Sequence, residues 1–173
     1  MQYPNPSTNL WYTVHTRSRF ENVVLDQLTK KSFEAFLPKM KKPSKRKDRR
    51  VILDVPIFPG YVFVKTPLKP NNHLAILKST GVVRLLGNSA GPLPVPEESL
   101  ESLRIMVSAE EEIFTGPTFT KGEMVVVTHG PFEGMTGVFH KDLGQGRVVV
   151  NMELLGQSAA VHIADTDIEN VVA

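Results

Sequence analysis

Cysteine is absent from the 173 residues, which excludes disulfides, thiolate metal sites and a cysteine nucleophile. That composition suits a reducing cytoplasm. No run of eighteen apolar residues occurs, so no segment is expected to cross a bilayer as a helix. The opening MQYPNPSTNLWYTV has neither a basic head nor a long apolar core and does not read as a secretory signal. No Walker-type phosphate loop and no G-x-G-x-x-G is present. The histidines (His15, His73, His129, His140 and His162) make no H-x-x-x-H pair. No carboxylate or thiol cluster completes a metal site around His129 and His140. Residues 87–91, Gly-Asn-Ser-Ala-Gly, match the G-x-S-x-G nucleophile elbow in letters only. That elbow needs a helix after the serine, and PLPVP follows instead. A polar turn is the reading. Neither enzyme activity nor a metal or cofactor is expected.

Aromatic residues are also scarce, at 8% of the chain. Phe58, Tyr61 and Phe63 nevertheless crowd one stretch, DVPIFPGYVFVK, around Pro59-Gly60. Proline withholds a ladder donor, so this run holds an edge, a bulge or a break rather than one central strand. Period-two alternation puts Phe58, Gly60 and Val62 on one face and Tyr61 and Phe63 on the other. One set fits a local core. The other, backed by Trp11 or Tyr12 on a neighbouring strand, fits a surface for another molecule.

Charge is unevenly placed although the net is only +2. Between Lys39 and Arg50 eight basic residues face one acid, Asp48. From Lys121 onward, three basic residues face seven acidic ones. A basic loop in one half and an acidic second half suggest two units with different partners. A loop so rich in Lys and Arg, with KKPSKRKDRR offering no apolar anchor, is expected to be mobile and to attract phosphates by counterion release.

Leu10–His15 reads as a strand. Ser18 and Glu21 are spaced as a capping box, with Phe20, Val24, Leu25 and Leu28 at helical spacing to Lys31. Short strands follow at Ala35–Pro38, Val51–Val55 and Phe58–Lys65. Asn71 or Asn72 is placed to cap a short helix to Ser79, and a strand begins at Gly81. Leu100, Leu103, Met106 and Val107 share one face of a helix opened by Pro96. The order β α β β β α β α suits an α+β layer of helices on a mostly antiparallel sheet. Residues 113–120 read as a linker, and 121–173 as a small five-stranded β-barrel of short strands between glycine turns.

WYTVHTRSRFE, FPGYVFVK after a basic loop, TGVVRLLG and PEESLESL resemble the N-terminal domain of the NusG family. The stretch KGEMVVVTHGPFEGMTGVFHKDLGQGRVVVNMELLG resembles its KOW domain, with Gly122, Gly130-Pro131-Phe132, Gly134 and Gly137 in place. The resemblance implies an N-terminal domain over 1–112 and a KOW barrel over 121–173. It also implies a cytoplasmic, monomeric, non-enzymatic transcription elongation and antitermination factor without cofactors. HTRSRFE and KDRRVILDVPIFPGYVFVK resemble the specialised RfaH-like and UpxY-like paralogs more than housekeeping NusG. A Rho-linked housekeeping NusG is the alternative. A KOW-containing ribosomal protein that binds rRNA is the alternative from another class.

The residues matching the family's RNA polymerase clamp surface are Tyr12, Phe58 and Tyr61. Those implied to meet the non-template DNA strand and the polymerase around it are Arg17, Arg19, Asn72 and His73. The basic loop, with Lys41, Lys42, Lys45, Arg46 and Lys47, adds phosphate contacts. The partner surface of the KOW domain falls on Leu154, Leu155, Gly156 and Gln157, where housekeeping members carry a phenylalanine at the position of Leu155. A leucine can still enter an apolar pocket, so the small-subunit ribosomal protein implied by the resemblance stays a plausible partner, whereas the lost ring area makes Rho a doubtful one. The second domain is expected as a barrel, not as the helical hairpin of the RfaH resting state, because its β-branched runs and glycines disfavour a helix.

Overall fold

A computed structural model describes residues 5–46, 48, 50–117, 122–144, 147–155 and 157–171. The chain divides into two compact units. Residues 1–38 and 58–97 form the first, and 39–57 with 98–173 form the second. Each is α+β or β in character, with antiparallel sheets throughout.

In chain order the first elements are β1 (Asn9–Thr16), α1 (Glu21–Lys30), β2 (Glu34–Phe36), β3 (Lys39–Pro43), β4 (Ile52–Pro56) and β5 (Tyr61–Pro67). There follow α2 (Pro70–Leu77), β6 (Val82–Leu85), β7 (Gly87–Asn88), β8 (Gly91–Pro92), β9 (Pro94–Val95) and α3 (Glu97–Ser108). The first unit is built on a sheet in the order β2-β5-β1-β6, with β9 also pairing β1. Alternation along β1 and β5 splits the sheet into two faces. Tyr12 opposite Val64 and Val14 opposite Val62 lie on one face. They form a core with Val24 and Leu28 of α1, Ile76 of α2 and Leu85 of β6. Lys31, just past α1, donates to the Ala75 carbonyl and the Ser79 hydroxyl, both at 2.9 Å. It thereby ties the ends of the two helices together.

Three local expectations are corrected. Glu21 does not close a capping box, since α1 has Phe20 at its N-cap and no side-chain cap. The reason lies in Arg19, whose left-handed backbone (φ 66°) turns the chain before the helix and frees the Glu21 carboxylate for another donor. Neither Asn71 nor Asn72 caps α2, because Lys69 holds the N-cap and Pro70 opens the helix, where its missing N–H is no loss. The segment from Lys39 is not a loop throughout. β3 pairs β4 from Lys39–Pro56 to Pro43–Ile52, with Met40 opposite Val55 as an apolar cross-strand pair. Gly87–Gly91 forms a tight hairpin in which the Ala90 amide donates to Asn88 Oδ1 at 2.9 Å, with no helix after Ser89.

The second unit continues with β10 (Phe114–Pro117), β11 (Met124–Val127), β12 (Thr136–Gly144), β13 (Arg147–Leu154), β14 (Gln157–Ala164) and β15 (Ile168–Asn170). Five strands pair in the order β14-β13-β12-β11-β15, as a KOW-like sheet rather than a helical hairpin. Phe132 and Met135 are buried in the turn after β11, with Val125, Val127, Val150, Val161 and Ile163. Gly122 is obligatory here, because an added Cβ would meet the Phe139 carbonyl oxygen at 1.8 Å. Part of the stretch read as linker is a sixth strand: β10 pairs the outer edge of β14. Its Phe114 ring stacks on His162 with centroids 4.6 Å apart. An edge strand with unpaired backbone groups invites such cover.

Helix α3 packs within this unit. Ser102, 2% exposed, accepts the Thr136 N–H at 3.1 Å, and Ile105 approaches Gly134.

Candidate nucleic-acid and partner interfaces

Phe58-Pro59-Gly60-Tyr61 is a β-turn. The Tyr61 N–H points to the Phe58 carbonyl at 3.3 Å, and Gly60 has φ 87°. Proline at the second position and a left-handed third residue are the requirements of a type II turn. Glu21 Oε1 accepts the Gly60 N–H at 2.8 Å, and the Gly60 carbonyl accepts the Thr16 N–H at 2.8 Å. The turn is thus fixed from both sides, and the register places Tyr61 on the sheet face opposite the core built with α1 and α2.

On the face opposite the helical core, three strands place their side chains in a row. Tyr61 of β5 pairs with His15 of β1, and His15 pairs with Arg84 of β6. The His15 and Tyr61 rings stack, with centroids 5.3 Å apart. Both are half-buried, and Arg84 is exposed. One pair along from Phe63, Trp11 lies under the Lys65 ammonium at 5.9 Å, a cation–π contact.

Of the trio matched to the clamp surface, only Tyr61 reaches the surface. Tyr12 stands 1% exposed in the helix-facing core, because its register opposite Val64 puts it on the other face of the sheet from Tyr61. Phe58 is likewise 1% exposed. Both rings belong to the buried core. His15 and Arg84 were missed by sequence reading. His15 sits at the alternation phase of Trp11, which a period-two count does signal, whereas the Arg84 neighbourhood depends on a non-local register.

Arg17 and Arg19 are exposed between β1 and α1. The Arg17 amide donates to the Gly81 carbonyl at 2.8 Å. Asn72 is committed elsewhere. Its Nδ2 donates to the Pro67 carbonyl at 2.8 Å and to the Thr66 hydroxyl at 3.1 Å, closing the end of β5. His73 beside it is half-buried. Arg17 lies at the Tyr61 end of the sheet and Asn72 at the Pro67 end, about 20 Å apart along the strand. The four residues therefore make two patches, not one.

Lys41 and Lys42 are exposed on β3, and Lys45 and Arg46 are exposed at the tip of the hairpin. The Arg46 amide donates to Ser44 Oγ at 3.2 Å. Lys47 lies outside the described residues, as does Gly156. At the far end of the second unit, Leu154 pairs with Gln157 across the β13–β14 hairpin. Leu155 follows with φ 59°, half-buried like Leu154 and Gln157. No group of three or more metal-ligating side chains is found among the described residues, and the His140 side chain is not among them. No helix among them is long and apolar enough to cross a membrane.

The family model described as "Transcription termination factor nusG" matches residues 9–104. The chain belongs to the NusG family. It is 24% identical over 172 residues to a "Transcription termination/antitermination protein NusG" of Rickettsia bellii, covering 94% of this chain and 90% of that one. It is 27% identical to the protein of the same name from Bacillus subtilis, over 93% of this chain and 98% of that one. Among solved structures, that of Thermotoga maritima NusG superposes with a TM-score of 0.60 and 22% identity. The superposition covers 96% of this chain and 99% of that one, and it supports the shared fold.

Proposed function

We propose that this NusG-family protein is a non-catalytic transcription elongation and antitermination factor of the bacterial cytoplasm. It docks on RNA polymerase through the rim carried by Tyr61 and His15, with Phe58 and Tyr12 stiffening the sheet behind them. Arg17 and Arg19 meet the non-template DNA strand at one end of the sheet, while His73 lies at the other end. The basic hairpin adds phosphate attraction. The β13–β14 turn around Leu154, Leu155 and Gln157 takes a small-subunit ribosomal protein. The observation that carries this reading is the FPGY turn itself, held by Glu21 and Thr16 so that an aromatic ring stands at the surface beside two exposed arginines.

A specialised paralog is favoured over a Rho-linked one by Leu155. A leucine replaces the ring expected there and loses about 1–2 kcal/mol of apolar contact. Affinity capture from native lysate, probed for polymerase and for ribosomes, tests the proposal. Polymerase should be recovered under conditions where free ribosomes are not. Recovery of ribosomes alone would favour an rRNA-binding KOW protein instead.

A further inference from the structure

The β3–β4 hairpin is a two-stranded ribbon of its own, and its ladder runs on to the Ser44 N–H, which donates to the Val51 carbonyl at 2.8 Å. Near its tip three consecutive apolar residues are open to solvent. Ile52 is 69% exposed, and Val51 and Leu53 are each 45% exposed. Single exposed apolar side chains are ordinary, but a cluster on a charged ribbon marks a contact surface. Pro43 is the cross-strand partner of Ile52, so the two stand side by side on one face. They border a recess of about 570 Å³ that Lys45, Arg46 and Arg50 also line. Phosphate attraction alone would need the cations and leave the apolar tip without use.

The chemistry of the tip selects among polyanions. No aromatic residue lies between Lys39 and Pro56, so the ribbon has no platform on which unpaired bases could stack. It also lacks the Trp and Tyr that anchor a protein in a membrane interface. Duplex RNA presents a wide, shallow minor groove recognised through 2′-hydroxyl and phosphate contacts, for which an apolar tip supplies no partner. The minor groove of duplex DNA accepts apolar wedges such as Ile and Pro between base steps while flanking Lys and Arg neutralise phosphates.

We propose that the ribbon is a DNA-bending arm, in which Ile52 with Pro43 enters the minor groove of duplex DNA and partly unstacks one base step. Lys41, Lys45, Arg46 and Arg50 hold the flanking phosphates. This deepens the phosphate-binding role given above to the same hairpin and rests on it.

The test uses the full chain and an A·T-centred DNA duplex of about 30 base pairs, labelled at both ends for energy transfer. Binding should raise the transfer, and a minor-groove dye should compete. Ile52→Ser, a change at a solvent-exposed site, should abolish the rise in transfer and weaken binding about tenfold, with the salt dependence unchanged. Lys45→Gln with Arg46→Gln should reduce the salt slope by about 2. Binding without a bend, or a bend that survives Ile52→Ser, would overturn the inference. So would Ile52-dependent binding that is tighter to single-stranded DNA, to duplex RNA or to phosphatidylserine vesicles. Polymerase capture measured in parallel separates the two readings. Capture that persists without bending removes only the arm, whereas bending without capture removes only the polymerase docking.

Discussion

Glu21 accepts the Gly60 N–H at 2.8 Å across 39 positions of chain, joining the first turn of α1 to the FPGY turn. Glu21 as a residue is only 7% exposed, so the bond is partly shielded from water. Hydrogen bonds to charged groups contribute about 1.5–3 kcal/mol. Glu21→Ala should therefore destabilise the first unit by about that amount in urea unfolding. Glu21→Gln, which keeps an acceptor, should cost less than half as much. Gly60→Ala should cost about 1–2 kcal/mol through its left-handed backbone alone. If Glu21→Ala is neutral, the turn is held by the Thr16 bond and its own proline.

Tyr61 and Tyr12 should separate function from folding. Tyr61→Ala should leave the unfolding midpoint within about 1 kcal/mol of the parent, because the ring is half-buried. It should also strip polymerase binding. Tyr12→Ala should instead unfold the protein readily, since removing a fully buried aromatic costs about 3–5 kcal/mol. A folded Tyr61→Ala protein that still binds polymerase with parental affinity would contradict the docking role of this rim.

Burial also raises the Tyr12 phenol above its ordinary value of 10.0. The folded state then holds this proton more tightly than the unfolded chain does. The contribution is fully present below pH about 10 and is lost as pH rises from there through the folded value. Tyr12→Phe removes the titration while keeping the ring, so its stability should fall less steeply above pH 10. Parallel alkaline unfolding curves for the two proteins would rule this out.

Local pattern was enough to read much of this fold. The phase of Tyr61 and Phe63 against Val62 follows from alternation, and the burial of Leu100, Leu103 and Met106 follows from helical spacing. The face on which Tyr12 lies was not legible, because the family match named the position and only the β1–β5 register gives its side. Asn72 reads as a helix cap, yet it bonds back to Thr66 and Pro67, a choice decided by tertiary geometry. β10 was read as linker because FTGP has little strand character of its own. It is a strand only because β14 offers it an edge. The row Arg84–His15–Tyr61 joins three segments far apart in sequence and has no local signature.

Ser102 on α3 gives a further expectation. Its hydroxyl is the acceptor for the half-buried Thr136 N–H, and Thr136 Oγ1 lies 3.3 Å away. Ser102→Ala would leave that amide unpaired, at a cost of about 1–3 kcal/mol. A fragment beginning at Glu98 should therefore unfold at higher urea than one beginning at Lys121, although both should fold. Equal midpoints for the two fragments would show that α3 adds nothing to the barrel.

Leu155 combines two opposing terms. Its left-handed backbone (φ 59°) costs a β-carbon-bearing residue about 1–2 kcal/mol. Its half-buried side chain returns roughly half of the 1.5–3 kcal/mol that full burial of a leucine contributes. The terms nearly cancel, so stability does not account for a leucine at the tip of a hairpin where asparagine or glycine is ordinarily preferred. The partner contact proposed above would account for it. Leu155→Asn should leave the urea midpoint of the second unit within about 1 kcal/mol of the parent, because relief of strain offsets the lost burial. It should weaken binding to the small-subunit ribosomal protein about tenfold, read by titration calorimetry. Leu155→Phe should strengthen that binding and allow Rho to bind, since the ring restores the lost contact area. Should Leu155→Asn bind the ribosomal protein as the parent does, the partner surface lies elsewhere on the barrel.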